Sequence, residues 1–160
     1  MKTFRQFMQL AYVANDYERA IDEFGRKHGV SRFLEMRNVH MPTLAGRTVE
    51  LQVALAWASD STQIEIITPV SGDDAIYRIL PENAAYSVLL HHIGQIAVTP
   101  AEFDRYHEES LSEGLALAID TPFYFMVDTR STLGHCIEFI NAPECMSPEM
   151  LAIRDSIPRN

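Results

Sequence analysis

Two carboxylates set in apolar company are the residues of this chain best placed to do chemistry. Glu65 lies in Gln63-Ile64-Glu65-Ile66-Ile67-Thr68-Pro69, and Glu138 in Cys136-Ile137-Glu138-Phe139-Ile140-Asn141-Ala142-Pro143. The segments echo one another, and each reads as a buried strand carrying a single acid. A carboxylate there is expensive unless something pairs with it. A second echo opens each half: Gln9-Leu10-Ala11-Tyr12-Val13 and His92-Ile93-Gly94-Gln95-Ile96. Each half therefore offers two candidate ligands for a metal ion, one at the head of its first strand and one in its last.

Two similar runs of elements must position these groups. In the first, a strand over 6–13 ends at Asn15-Asp16, good caps for a helix over about 16–28 that stops at Gly29. Strands follow at 33–39 and 48–57, with a loop over 41–46 between them, and the strand 64–68 closes the half at Pro69. Residues 71–87 form a connector with a helical turn. The second run starts at Leu89 with a strand to Val98 and a helix over about 101–113, entered through Thr99-Pro100 and ended by Gly114. Strands near 115–119 and 122–128, a turn over 129–134 and the strand 135–140 complete it, and a helical turn is expected around Glu149–Arg154. No linker of low complexity separates the halves. One domain over 1–160 is expected, made of modules at 6–69 and 89–143, a connector at 70–88 and a tail at 144–160.

Composition excludes several partners. At 160 residues the chain is long enough to bury a core without staples, and its net charge of −9 argues against nucleic acid and anionic membrane surfaces. No run approaches the apolar length of a membrane span, and Met1-Lys2-Thr3-Phe4-Arg5-Gln6 shows no signal core. Cys136 and Cys145 match no zinc spacing and read as reduced thiols. An acidic cytoplasmic protein is expected.

The order of these segments resembles the vicinal-oxygen-chelate superfamily, the glyoxalase and bleomycin-resistance fold. The likeness rests on Gln9 to Val13, Ile64 to Ile67, His91 to Val98 and Val127 to Ile140, in that order along residues 6–143. Its nearest branch is that of the methylmalonyl-CoA epimerases and glyoxalases. The resemblance implies an α+β fold: two paired βαβββ modules forming curved mixed sheets around a central cleft. It also implies a divalent metal held by Gln9, Glu65, His92 and Glu138, with Glu138 or Glu65 leaving the ion to act as catalytic base. Such mixed oxygen and nitrogen donors suit Zn, Ni, Co, Mn or Mg without choosing among them. Gln9 departs from the epimerases, which more often begin with His.

Other polar groups read differently. Strand alternation turns His91 to the face opposite His92, as a structural or solvent-facing residue. His135 is expected to pack or lie in a loop, away from Glu138. Asp128 and Arg130 flank a turn as a surface ion pair, with a lip for an anionic substrate as the alternative. Glu50, on the long strand, has no convincing counterpart as a second acid or base. Tyr12, Trp57, Tyr86, Phe123, Tyr124 and Phe125 are expected in the core.

The resulting expectation is a metal-dependent isomerase, epimerase or lyase that acts on a small carbonyl compound through an enolate or enediolate. A ring-cleaving dioxygenase would want a second His where Gln9 stands. A non-catalytic binding protein of the resistance type would have no use for Glu65, His92 and Glu138. Apolar groups such as Met8 and Tyr12 that one core does not cover suggest a homodimer.

Overall fold

The computed structural model describes residues 7–142, 152–153 and 155–160. Its elements run β1 (Phe7–Ala14), α1 (Tyr17–His28), β2 (Leu34–Pro42), β3 (Thr48–Trp57), β4 (Gln63–Gly72), β5 (Val88–Ala97), α2 (Pro100–Ser112), β6 (Leu117–Asp120), β7 (Tyr124–Val127), α3 (Arg130–Leu133) and β8 (Cys136–Asn141). This is an α+β protein with the βαβββ order twice over. All eight strands join one sheet in the order β2-β3-β4-β1-β5-β8-β7-β6, and the sheet curls into a half-barrel. Within each half the first and last strands pair in parallel, β1 with β4 and β5 with β8. The halves meet where β1 runs antiparallel to β5.

Alternation along the strands divides the side chains between two faces. One face is covered by helices. Asp16 caps α1 by accepting from the Arg19 amide, and Gly29 ends it at φ 74°. Tyr17, Ala20 and Phe24 of α1 pack on Ile64 and Ile66 of β4. Thr99 caps α2, and Phe103 and Tyr106 of α2 pack on Phe125, Ile137 and Phe139. The apolar neighbours of each glutamate thus go under a helix, which forces Glu65 and Glu138 onto the opposite, inner face.

Several elements differ from the sequence expectation. β4 runs past Pro69 to Gly72, because a register shift between Glu50 and Leu51 of β3 accommodates the stretch around the proline. β2 extends to Pro42, so the loop before β3 shortens to a 3₁₀ turn over Leu44–Gly46. The turn over 129–134 is a short helix closed by Gly134 at φ 78°. Met8 and Tyr12 lie on β1 and are half-buried, with Tyr12 edge-on to Phe24 at 5.1 Å, so they are not an uncovered patch. The turn expected at 149–154 falls mainly outside the described residues; Ala152 and Ile153 are helical.

Phe139 follows Glu138 and stacks on Phe125 at 4.7 Å between ring centroids. It is fully buried, so Phe139→Ala should destabilise the protein by about 3–5 kcal/mol. Urea unfolding checks this, and a loss under about 1 kcal/mol would show that the stack does not hold β8 in place.

Candidate metal centre

The sheet register sets four polar side chains in two rows on the inner face. In one row, Glu65 lies opposite Ala11 and Ala11 opposite His92. In the next, Gln9 lies opposite Gly94 and Gly94 opposite Glu138. The arrangement has two-fold logic: Gln9, Ala11 and Glu65 occupy in one half the places that His92, Gly94 and Glu138 occupy in the other. The middle residue of each row is small, which leaves space above it for the longer side chains to meet.

That space is tight at Gly94. A methyl group there would stand 2.8 Å from both Cβ and Oε1 of Gln9 and 3.5 Å from Oε2 of Glu138. His92 Nε2 lies 3.4 Å from Glu65 Oε2 and 3.6 Å from Glu138 Oε2. Both acids are at least partly buried and His92 almost wholly so. Even so, His92 Nε2 makes no hydrogen bond, its geometry being wrong for either carboxylate, and Gln9 Oε1 is also buried without a partner. The Gln9 amide nitrogen donates to Gln63 Oε1 at 2.8 Å, which turns the oxygen of Gln9 the other way.

His91 joins His92 on the same face, contrary to strict alternation. The register passes from Ala11 opposite His92 to Tyr12 opposite Leu90, so His91 is the extra residue of a β-bulge. Its ring stacks on Tyr77 at 4.8 Å, its Nε2 lies 3.0 Å from the Ile76 carbonyl, and its Nδ1 lies 2.8 Å from His92 Nδ1. A carbonyl can only accept, so His91 carries its proton on Nε2. His91 Nδ1 is then an acceptor, and His92 donates to it from Nδ1. The remaining nitrogen of His92, Nε2, points between the two acids. Arg130 braces this chain by donating to the same Ile76 carbonyl at 3.2 Å while gripping Asp128 with two nitrogens at 2.8 and 2.6 Å. Asp128 and Arg130 thus form a part-buried brace behind His91.

Burial and like charge disturb the titration of the cluster. Burial, with Glu65 adding to it, pushes Glu138 up to about 7 against the pull of His92. For His92 burial alone would lower the pKa, but Glu138 and Glu65 outweigh it and leave it raised. Burial and the neighbouring His92 drive His91 down to about 3, so it stays neutral. Burial first, then the two acids, raise Tyr124. Burial likewise pushes the Cys136 thiol up to about 12, and Cys136 is a free cysteine.

A cavity of about 300 Å³ opens over Glu65, His92 and Glu138. Tyr77, Tyr124 and Met126 also face it, and the Tyr124 hydroxyl is buried without a partner. Sequence alternation missed His91, and nothing in the sequence separated Tyr124 from ordinary core aromatics. Glu50 lies elsewhere, accepting from Ser71 at 2.8 Å. His135 bonds the Cys136 carbonyl through Nδ1 at 2.9 Å, apart from the cluster.

Neither a family model nor a curated protein matches the sequence. Solved structures do match the fold. A methylmalonyl-CoA epimerase of Mycobacterium tuberculosis aligns at a TM-score of 0.55 and 13% identity, over 92% of this chain and 91% of that one. A variant of the Streptomyces coelicolor methylmalonyl-CoA epimerase, in complex with 2-nitronate-propionyl-CoA, aligns at 0.58 and 13%, over 89% and 98%. The chain has the vicinal-oxygen-chelate fold. A hypothetical protein of Bacillus halodurans shares it at 0.54 and 12% identity, over 84% of this chain and 92% of that one. In this chain the glyoxalase-like fold brings the candidate ligands of both modules together within one molecule, without a second copy.

Gly94→Ala should destabilise the protein by about 1–3 kcal/mol, because the new methyl overlaps Gln9. Placing the change in a Gln9→Gly background should recover most of that loss. Equal losses in both backgrounds, measured as a double-mutant cycle, would show that Gln9 does not lie over Gly94.

Proposed function

We propose that this chain is a divalent-metal-dependent isomerase or epimerase that moves a proton next to a carbonyl group, with a lyase of the glyoxalase type as the neighbouring possibility. The observation that carries the reading is the pair of unpartnered buried atoms, His92 Nε2 and Gln9 Oε1, beside two buried acids. A cation would satisfy all four at once. Among the described residues no group of three or more His, Cys, Asp or Glu side chains is already arranged to hold a metal ion. The pairwise spacing speaks more directly. Neighbouring ligands on an ion with bonds of about 2.0–2.2 Å stand roughly 3.0–3.5 Å apart, and His92 Nε2 lies 3.4 and 3.6 Å from the two acids. Small rotations of Glu65, Glu138 and Gln9 would close the set.

Gln9, Glu65, His92 and Glu138 would hold the ion, giving one imidazole, one amide oxygen and two carboxylates around Zn, Ni, Co, Mn or Mg. A divalent ion held there supplies Lewis acidity that stabilises the enolate charge. The protein supplies the proton chemistry. Glu138 leaves the ion to remove the proton from the carbon beside the carbonyl, because a carboxylate released from a cation regains its basicity. Glu65 approaches from the strand of the other half and can return a proton to that carbon from another side. The Tyr124 hydroxyl donates a hydrogen bond to the substrate oxygen as charge develops on it. The apolar walls of the cavity exclude water from the enolate. The methylmalonyl-CoA epimerases that share the fold support an epimerase reading, and the substrate proposed is a small carbonyl compound. A homodimer is part of the proposal, although the site itself is built within one chain.

The test combines metal uptake with proton exchange. One ion per chain is expected after loading, with a stabilisation of roughly 3–4 kcal/mol when the free ion exceeds its dissociation constant 100- to 1,000-fold. The loaded protein should wash deuterium from D₂O into suitable carbonyl compounds, followed by NMR. Glu138→Gln should slow that exchange by about 10²–10⁴. In chelator at pH 8 the same variant should be at least as stable as the parent. A buried acid whose pKa is raised from 4.5 to about 7 favours folding below 4.5 and loses that contribution as the pH rises through 7. Failure to take up any ion, or full exchange in Glu138→Gln, would overturn the reading.

A further inference from the structure

The walls of the cavity over the ligand cluster say what kind of group fills it. At about 300 Å³ it is roughly double the 150 Å³ cavity that takes up a benzene molecule in an apolar protein interior. Met36 and Met41 of β2, Val53 and Leu55 of β3, and Met126 of β7 form much of the wall. Its polar lining is Glu65, His92, Glu138, Tyr77 and Tyr124, and among the described residues no Lys or Arg lines it.

The described surroundings offer no unpaired cation either. A second cavity adjoins the first through the Ile76–Tyr77 turn and includes Arg47 and Arg130. Arg47 is paired with Asp73 at 3.2 Å, and Arg130 is locked on Asp128, so two positive charges there are balanced by two negative ones. Every described Lys and Arg other than Arg32 has an Asp or Glu partner, and the chain carries a net charge of −9. The ion would answer Glu65 and Glu138, but an anionic group buried among the apolar walls away from it would meet no described countercharge of its own.

We propose that the site takes an uncharged carbonyl compound whose reacting oxygens meet the ligand cluster and whose remainder is an apolar group of ring or branched-chain size. It discriminates against acids and against polyanionic coenzyme A esters. The inference rests on the functional reading above and adds the substrate class to it. Three methionines, two on β2 and one on β7, suit such a group, because the unbranched, polarisable side chain adapts to aromatic and branched shapes alike.

Hydroxamates test this without knowing the substrate, since their two oxygens mimic an enediolate. Calorimetry of the cobalt-loaded protein would compare acetohydroxamate, benzohydroxamate and para-carboxybenzohydroxamate, with coenzyme A as a fourth titrant. Benzohydroxamate should bind about 10- to 100-fold tighter than acetohydroxamate through the buried ring. The added carboxylate should cost about 10-fold or more relative to benzohydroxamate, and coenzyme A should not bind. Met36→Arg, at the half-buried rim, should narrow or reverse the penalty on the carboxylate by supplying the missing cation. Failure to load cobalt would remove the metal reading and this inference together. Normal loading with equal binding of acetohydroxamate and benzohydroxamate, with no penalty on the carboxylate, or with coenzyme A bound, would overturn the substrate class alone.

Discussion

Two acids and an imidazole buried against one another are the constraint on which the rest of this structure depends. Glu65, His92 and Glu138 meet within 3.6 Å on the inner face of the sheet, largely withdrawn from water. Each strand that carries one of them also buries apolar neighbours under a helix, so moving an acid outward would break a core. The acids are held inward by packing, and the charge they bring is unbalanced. One histidine cannot neutralise two carboxylates, and burial first, with Glu65 adding to it, raises the pKa of Glu138. A divalent ion would end the imbalance. The proposed chemistry restores that tension when one acid leaves the ion, since a carboxylate kept from water and released from its countercharge is a ready base.

The paired topology is what makes such a cluster from short, ordinary segments. Parallel pairing places the glutamate strand of each half beside its leading strand, and the antiparallel seam then brings the leading strands together. One register satisfies both halves. The bulge at His91 breaks that symmetry to a purpose: it turns a second imidazole inward, where the Ile76 carbonyl fixes its tautomer and, through it, the tautomer of His92. Metal-bound histidines characteristically depend on such a partner behind them.

Much of this was legible in the sequence because it followed from periodicity. Apolar neighbours, Ile64 and Ile66 about Glu65 and Ile137 and Phe139 about Glu138, fixed which way the acids point, and Asp16, Gly29 and Thr99 marked helix ends where the structure has them. The repeated segments aligned residue for residue with the register found. What periodicity could not show is where it fails. His91 was assigned to the outer face because a bulge leaves no mark in a single sequence. The extension of β4 through Pro69 was hidden for the same reason, a register shift against β3 that leaves Val70 unpaired. The free orientation of Gln9 Oε1, which depends on Gln63, three strands on in sequence but adjacent in space, was beyond any local reading.

X-ray absorption spectroscopy of the cobalt- or zinc-loaded protein tests the central claim most directly. The account predicts a first shell of nitrogen and oxygen alone, with the multiple scattering of one imidazole, which disappears in His92→Ala and persists in His91→Gln. A sulfur neighbour, two imidazoles, or a signal unchanged in His92→Ala would contradict it.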